Sequence, residues 1–248
     1  MNQKLKTFFN WSTGKDAALA LYHLQKDTRY EVAHLLTSVN TAYDRVSMHG
    51  IRRTLLEQQL KSLDIPSSTI ELPAEPSMEV YESKMRSALE PLRADGFTTA
   101  AFGDIFLEDL RTYRENQLKQ LDMQACFPIW KRDTTALVRE FMDLGFKAIV
   151  VCTKSELLDA SFVGRAFDEA FIHDLPPNVD PCGENGEFHT FCYDGPIFNT
   201  PVQFTLGEKT YQEYKAPKQD DVHENEKAMG FWFCDLLPVD SEQHTTKR

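Results

Sequence analysis

Apolar residues in the first half of the chain follow two alternating rhythms. Short runs of strand length, among them Phe8-Phe9, Val32 to Leu36, Ser68 to Leu72, Thr98 to Gly103 and Ala125 to Phe127, alternate with segments whose apolar positions recur every three or four residues. The pattern predicts a helix from about Lys15 to Lys26 and a second one carrying Ile51, Leu55, Leu56, Leu60 and Leu63 on one face, stopped by Pro66. A third helix starts at Pro76-Ser77 with Met78, Tyr81, Met85, Leu89 and Leu92 at helical spacing, a stripe that reads as core. Gly96 ends it, and a fourth helix spans about Glu108 to Leu121. Strands alternating with helices imply βαβ units and a parallel sheet covered on both faces. Ligands of such sheets sit at the carboxyl ends of the strands. The loops there are Ser12 to Asp16, Ser38 to His49 and Gly103 to Asp109.

The rhythm changes near Pro128. Asp133 reads as the cap of a helix burying Leu137, Phe141 and Leu144, and Ala148 to Cys152 is a strong strand. Ala166 to Phe171 reads as helix. Pro176, Pro177, Pro181, Pro196 and Pro201 then punctuate a stretch too broken for regular structure, before Val202 to Phe204 and Phe231 to Phe233 supply strands of a smaller mixed sheet. The expected fold class is therefore α/β: a Rossmann-like parallel-sheet domain over 1–130 and a smaller α+β domain over 131–240. A tail over 241–248 is expected to be disordered.

A formal net charge of −11 argues against a surface that tracks nucleic-acid backbone, so no nucleic-acid partner is expected. No apolar run approaches the roughly 20 residues that span a bilayer. The odd count of five cysteines, without C-x-x-C or zinc spacing and without a secretory signal, points to reduced thiols and a cytoplasmic location.

The candidate chemistry begins where the first strand enters the first helix. A loop opening a helix offers unpaired N–H groups and the positive end of the dipole, a natural phosphate site. Gly14 lets backbone approach a ligand, Ser12 offers a hydroxyl and Lys15 a compact charge. It is not a Walker A loop, because Phe9 and Asp16 stand where that motif needs Gly and Ser or Thr. A plain helix start capped by Ser12 or Asp16 has the same composition. Ser12-Thr13-Gly14-Lys15-Asp16-Ala17 resembles the S-G-G-x-D-S pyrophosphate loop of N-type ATP pyrophosphatases. Thr13 replaces a glycine, putting a β-branched side chain where positive φ is wanted, and Ala17 replaces the closing serine.

A second polar cluster places Glu184, Glu187 and His189 in one glycine-containing loop, suited to a cation, an amine or general-base work, though also ordinary acidic-turn composition. Gly183-Glu184-Asn185-Gly186-Glu187-Phe188-His189-Thr190 with Tyr193-Asp194-Gly195-Pro196 resembles the signature of the diphthine–ammonia ligase family. Met48-His49-Gly50, Gly103-Asp104-Ile105 with Arg111 and Arg114, Pro128-Ile129-Trp130 and Val163-Gly164-Arg165 resemble the same family, in order, from about residue 5 to about residue 200.

The resemblance implies a PP-loop domain of the adenine nucleotide alpha hydrolase type, followed by a substrate domain. ATP would adenylate a carboxylate, pyrophosphate would leave, and ammonia or an amine would give the amide. The acid would be a small molecule or a protein side chain. Ser12 to Ala17, Ser38, His49, Gly103 and Asp104 would then meet the nucleotide, with Lys15 neutralising pyrophosphate and Asp16 and Asp104 on Mg²⁺. Glu184, Glu187 and His189 would face the acyl group or the ammonium, Arg111 and Arg114 would fork onto the carboxylate, and Asn185 and Thr190 would line the substrate side. His49 also reads as a structural histidine, Asp104 as a strand-end cap and the arginines as a solvated pair. Cys182 has no base at a fixed offset and is not expected to be a nucleophile. The altered loop also fits a nucleotide-binding regulator that has lost the chemistry. A tRNA-modifying PP-loop enzyme is disfavoured by the acidic balance and the unpaired cysteines.

Overall fold

The computed structural model describes residues 3–214 and 229–239. The tail expected to be disordered lies outside the described residues. The first half runs β1 (Leu5–Asn10), α1 (Lys15–Lys26), β2 (Tyr30–Asn40), β3 (Arg45–Val46), α2 (Arg53–Leu63), β4 (Ser67–Leu72), α3 (Met78–Ala94), β5 (Thr99–Ala101), α4 (Glu108–Lys119) and β6 (Gln124–Cys126). β1, β2, β4, β5 and β6 pair in parallel, and the short β3 lies antiparallel on the end of β2. The chain builds from β1 outward through β2 to β4, then returns to place β5 and β6 on the other side of β1. That reversal makes the ends of β1 and β5 the topological switch point.

Adjacent residues of β1 and β2 serve opposite faces, as a pleated strand requires. Phe9 and Leu35 pack with Ala18, Leu21, Leu55 and Leu56 of α1 and α2. Phe8 and Leu36 pack with Leu89, Leu92 and Leu118 of α3 and α4. The stripe of α3 is core only in its C-terminal half. Leu89 and Leu92 are buried, but Met78 is 64% exposed and Tyr81 and Met85 are half-buried.

The second half contains α5 (Thr134–Asp143), β7 (Lys147–Lys154), α6 (Glu169–Asp174), β8 (Phe188–Asp194), β9 (Phe204–Tyr214) and β10 (Met229–Pro238). Asp133 caps α5, its side chain accepting from the Ala136 N–H at 2.8 Å. Four expectations change. The helix predicted from Ala166 starts instead at Glu169, because Asp168 accepts from the Phe171 N–H at 2.9 Å and fixes the start there. The proline-punctuated stretch holds a regular strand, β8, whose Phe188, Phe191 and Cys192 are buried; the prolines flank it without interrupting its ladder. The second sheet is antiparallel throughout, in the order β8-β7-β10-β9, and its third strand begins at Phe204 rather than Val202. Its inner residues, Val150, Phe188 and Phe191 among them, join the same core cluster as α1 and α2. Among the described residues no helix is long and apolar enough to cross a membrane.

Candidate functional site

At the end of β1, Trp11 is buried, its carbonyl accepting from Thr37 Oγ1 (2.9 Å) and its indole N–H donating to Gln59 Oε1 (2.7 Å). Thr13 follows with φ at 74°, the left-handed region that a β-branched residue adopts only at a cost of order 1–3 kcal/mol. It is fully buried, and its Oγ1 has no partner among the described residues. The surroundings over-determine this conformation. The Thr13 carbonyl accepts from the Cys192 N–H of β8 (2.9 Å) and from Gln59 Nε2 (3.1 Å), which also donates to the Cys192 carbonyl. The Lys15 N–H, first of α1, donates to Thr190 Oγ1 at 3.1 Å. Gly14 and Gly103 are glycines for want of room. A Cβ on Gly14 would stand 2.9 Å from His49 Cε1, and one on Gly103 would stand 2.9 Å from the Ala17 nitrogen.

Lys15 does not face an open phosphate pocket. Its side chain is 4% exposed, and its ammonium bonds both oxygens of Asp16 (2.8 and 2.7 Å) and the Cys182 carbonyl. Phe167 and Phe188 lie against it, each ring centroid 5.4 Å away. Burial works against this charge, but Asp16, Cys182 and Glu184 together more than offset it and hold the amine above its ordinary value. The residue expected to neutralise pyrophosphate is thus an internal strut between the loop and the second sheet.

Glu184 reaches back across the switch point. Its Oε1 accepts from the N–H groups of Ile105 (2.7 Å) and Phe106 (3.3 Å), at the carboxyl end of β5. Burial pushes its carboxyl up to about 7, against the pull of those two N–H groups, and the nearby charges of Asp16 and Asp104 add to the rise. Asp104 pairs with Arg114: Nη2 donates to Oδ1 at 3.1 Å, and Nε stands 2.9 Å from Oδ2, close but not aligned as a hydrogen bond. Asp16 is paired with Lys15 and Asp104 with Arg114, so each carboxylate already faces a protein cation. No cluster of three His, Cys, Asp or Glu suited to a metal occurs among the described residues. As arranged, the donor set does not suit the ion.

The two glutamates expected to act as a pair are held apart in role. Glu187 is buried, its Oε1 accepting from the Asp180 N–H (3.1 Å) and Asn185 Nδ2 (3.0 Å), while Oε2 has no partner among the described residues. It shapes its own loop, and Asn185, exposed, is committed to it. His189 stacks on His49 with ring centroids 4.7 Å apart, and His49 Nδ1 lies 3.1 Å from the Thr190 carbonyl. Burial keeps both neutral, pulling His49 down to about 4 and His189 to about 3. Thr190, expected on the substrate side, is buried as a prop for α1. Arg111 and Arg114 do not converge. Arg111 pairs with Glu115 (2.7 Å) and lies over Trp130, whereas Arg114 lies over Phe102. Ser12 and Ser38 are half-buried near the cleft, and Ala17 is buried. Burial raises the Cys182 thiol, consistent with no nucleophilic role.

Sequence reasoning missed Gln59, Asp180 and Asp235. Gln59 sits four residues from both Leu55 and Leu63, a polar residue in the buried phase of a helix, and that was the available signal. Asp180 Oδ2 accepts from the N–H groups of Cys182 and Glu184, both at 3.1 Å. Asp235 of β10 grips Arg45 (2.8 Å) and Arg52, fixing the His49 loop to the second sheet.

Comparison with known families matches residues 5–125 to the diphthamide synthase N-terminal domain and residues 133–219 to the diphthamide synthase C-terminal domain. The chain belongs to the diphthamide synthase family. The first match carries the parallel sheet and the second begins at the cap of α5, so from one family domain Glu184 reaches the segment after β5 and Thr190 the start of α1 in the other. Similar proteins include the diphthine–ammonia ligases of Danio rerio (29% identical over 124 residues, 48% of this chain and 47% of that protein) and Homo sapiens (28% over 130 residues, 50% and 47%). That of Bos taurus is 30% identical over 105 residues, 40% of this chain and 39% of that protein. The chain spans about half the length of the Danio rerio and Homo sapiens relatives.

Proposed function

We propose that this protein is an ATP-dependent, AMP-forming ligase that amidates a carboxylate with ammonia or an amine, the class of reaction its relatives' names describe. A carboxylate oxygen attacks the α-phosphorus of ATP, the bond to the bridging oxygen breaks, and pyrophosphate leaves. Nitrogen then attacks the acyl carbon, AMP departs, and the nitrogen loses a proton. The observation that carries the reading is Glu184. A carboxyl held at about 7, docked beside the phosphate loop at the switch point, is matched to take that proton at neutral pH. The first turn of α1, fixed by Thr190 and Gly103, supports binding of the departing anion through backbone N–H groups, with Ser12 beside it.

Buried Lys15 favours a second reading, a binder of adenine nucleotides without turnover. Incubation with Mg-ATP, hydroxylamine and a panel of carboxylic acids separates the two. A ligase yields AMP, pyrophosphate and a hydroxamate in equal amounts with at least one acid. Calorimetric ATP binding with no AMP from any acid supports the silent binder, and ADP as product contradicts the ligase.

A further inference from the structure

The face of the parallel sheet under α3 and α4 encloses a cavity of about 100 Å³. Tyr81 and Met85 of α3, the unburied half of the apolar stripe, line it together with Phe8 and Phe102. Asn10, the last residue of β1, and Arg114 line it too. We propose that this cavity seats the apolar body of the carboxylate substrate, a single six-membered ring or a branched aliphatic group of similar size, with the carboxylate on Arg114. The assignment rests on the ligase reading and narrows its substrate class.

Position supports it first. Asn10 ends β1 and Phe102 directly follows β5, so the cavity reaches the switch point, where ligands of such sheets bind. Size limits the guest. An apolar cavity of about 150 Å³ takes benzene, so the volume here, open on one side, suits one ring better than a bicyclic base. Two polar groups of the wall are already paired, Gln117 Nε2 donating to Glu82 at 2.9 Å and Arg86 donating to Gln120 at 2.8 Å. A hydrocarbon guest leaves them undisturbed, whereas a nucleobase would compete for them. Arg114 supplies the charge: its guanidinium sits 4.3 Å from the Phe102 centroid, Asp104 takes the Nη2 and Nε side, and Nη1 has no partner among the described residues. A carboxylate on Nη1 would lie beside Asp104, next to Asp16 and Glu184 in the electrostatics of the site.

The test is methyl NMR of the full-length protein labelled at methionine, with the Met85 signal assigned from Met85→Leu and phenylacetate and adenosine as separate probes. Phenylacetate is expected to shift the Met85 methyl saturably in the millimolar range. Arg114→Gln should weaken it about tenfold, roughly 1.4 kcal/mol, and Leu110→Trp, which fills the cavity from the α4 side and keeps the Met85 reporter, should abolish it. A Met85 shift with adenosine and none with phenylacetate overturns the proposal in favour of a base site. Silence with both overturns it as well. Calorimetric ATP binding to the same wild-type sample separates the two failures. ATP binding beside a silent Met85 leaves the ligase reading standing, while a phenylacetate shift without ATP binding keeps the acid pocket and removes that reading.

Discussion

On one face of the parallel sheet, α1 and α2 lie sealed beneath the second sheet. Trp11, Leu21, Leu55 and Gln59 are essentially inaccessible, and the β1–α1 loop is tied by Gln59, Thr190 and Cys192. On the other face, α3 closes over the sheet with only Leu89 and Leu92 buried, and its first turns leave a cavity. The two faces meet at the ends of β1 and β5. A strained loop such as the one at Thr13 persists only where its neighbours over-determine it, and the sealed face supplies that rigidity. The looser face has room for a guest. A tightly tied loop and an unfilled cavity thus stand on opposite sides of one sheet.

The sharpest way to break this comparison is Gln59→Leu. It strips partners from the Trp11 indole and the Thr13 and Cys192 carbonyls, and stability in urea should fall by about 3 kcal/mol. A loss below about 1 kcal/mol would mean the network is not what holds the loop.

The pH dependence of stability comes next, and two groups pull in opposite senses. Glu184 is raised from 4.5 to about 7. Through that window the folded state keeps a proton the unfolded chain has released, so stability falls as pH rises from about 4.5 to 7. Glu184→Gln should flatten that slope. His49 and His189 are lowered from 6.5 to about 4 and 3. Here the unfolded chain takes up protons first, so their contribution is lost as pH falls below 6.5. Urea midpoints at pH 5 and pH 8, with and without Glu184→Gln, measure the difference; identical slopes would contradict the burial of Glu184.

Thr13→Gly should stabilise by about 1 kcal/mol. Relief of left-handed strain and loss of the orphan hydroxyl outweigh the lost methyl and the added freedom of the unfolded chain. A lower melting temperature would show that Thr13 is not strained. The smallest effect belongs to the loose face. Met78→Ser should change stability by no more than about 0.5 kcal/mol, whereas a true core methionine would cost about 2–5 kcal/mol.

Much of the sealed architecture was legible in the residues. Helical spacing located α1, α2 and α4, and the alternation of rhythms gave the parallel sheet, because burial on both faces leaves a periodic imprint. β8 escaped notice because the prolines around it outweigh its own pattern locally, while its register is set by pairing with β7. The stripe of α3 misled for the complementary reason: apolar periodicity says which residues share a face, not whether anything fills the space beneath it. In the candidate site, residue types marked loops that the fold brings together. They could not show that Lys15 turns inward to Cys182, or that Glu184 and Glu187 take different partners, since both depend on contacts more than 70 residues apart in sequence or on loop geometry.

The measurement that bears most directly on the account is the separation of half-reactions in Glu184→Gln. With an acid that supports AMP formation, the variant should retain acid-dependent exchange of labelled pyrophosphate into ATP, because adenylation does not need the glutamate. It should lose ammonium-dependent amide formation by at least about a hundredfold, together with the wild-type limb of apparent pKa near 7. Equal amide formation by variant and wild type across the same pH range would contradict the role assigned to Glu184, and with it the ligase chemistry built on that residue.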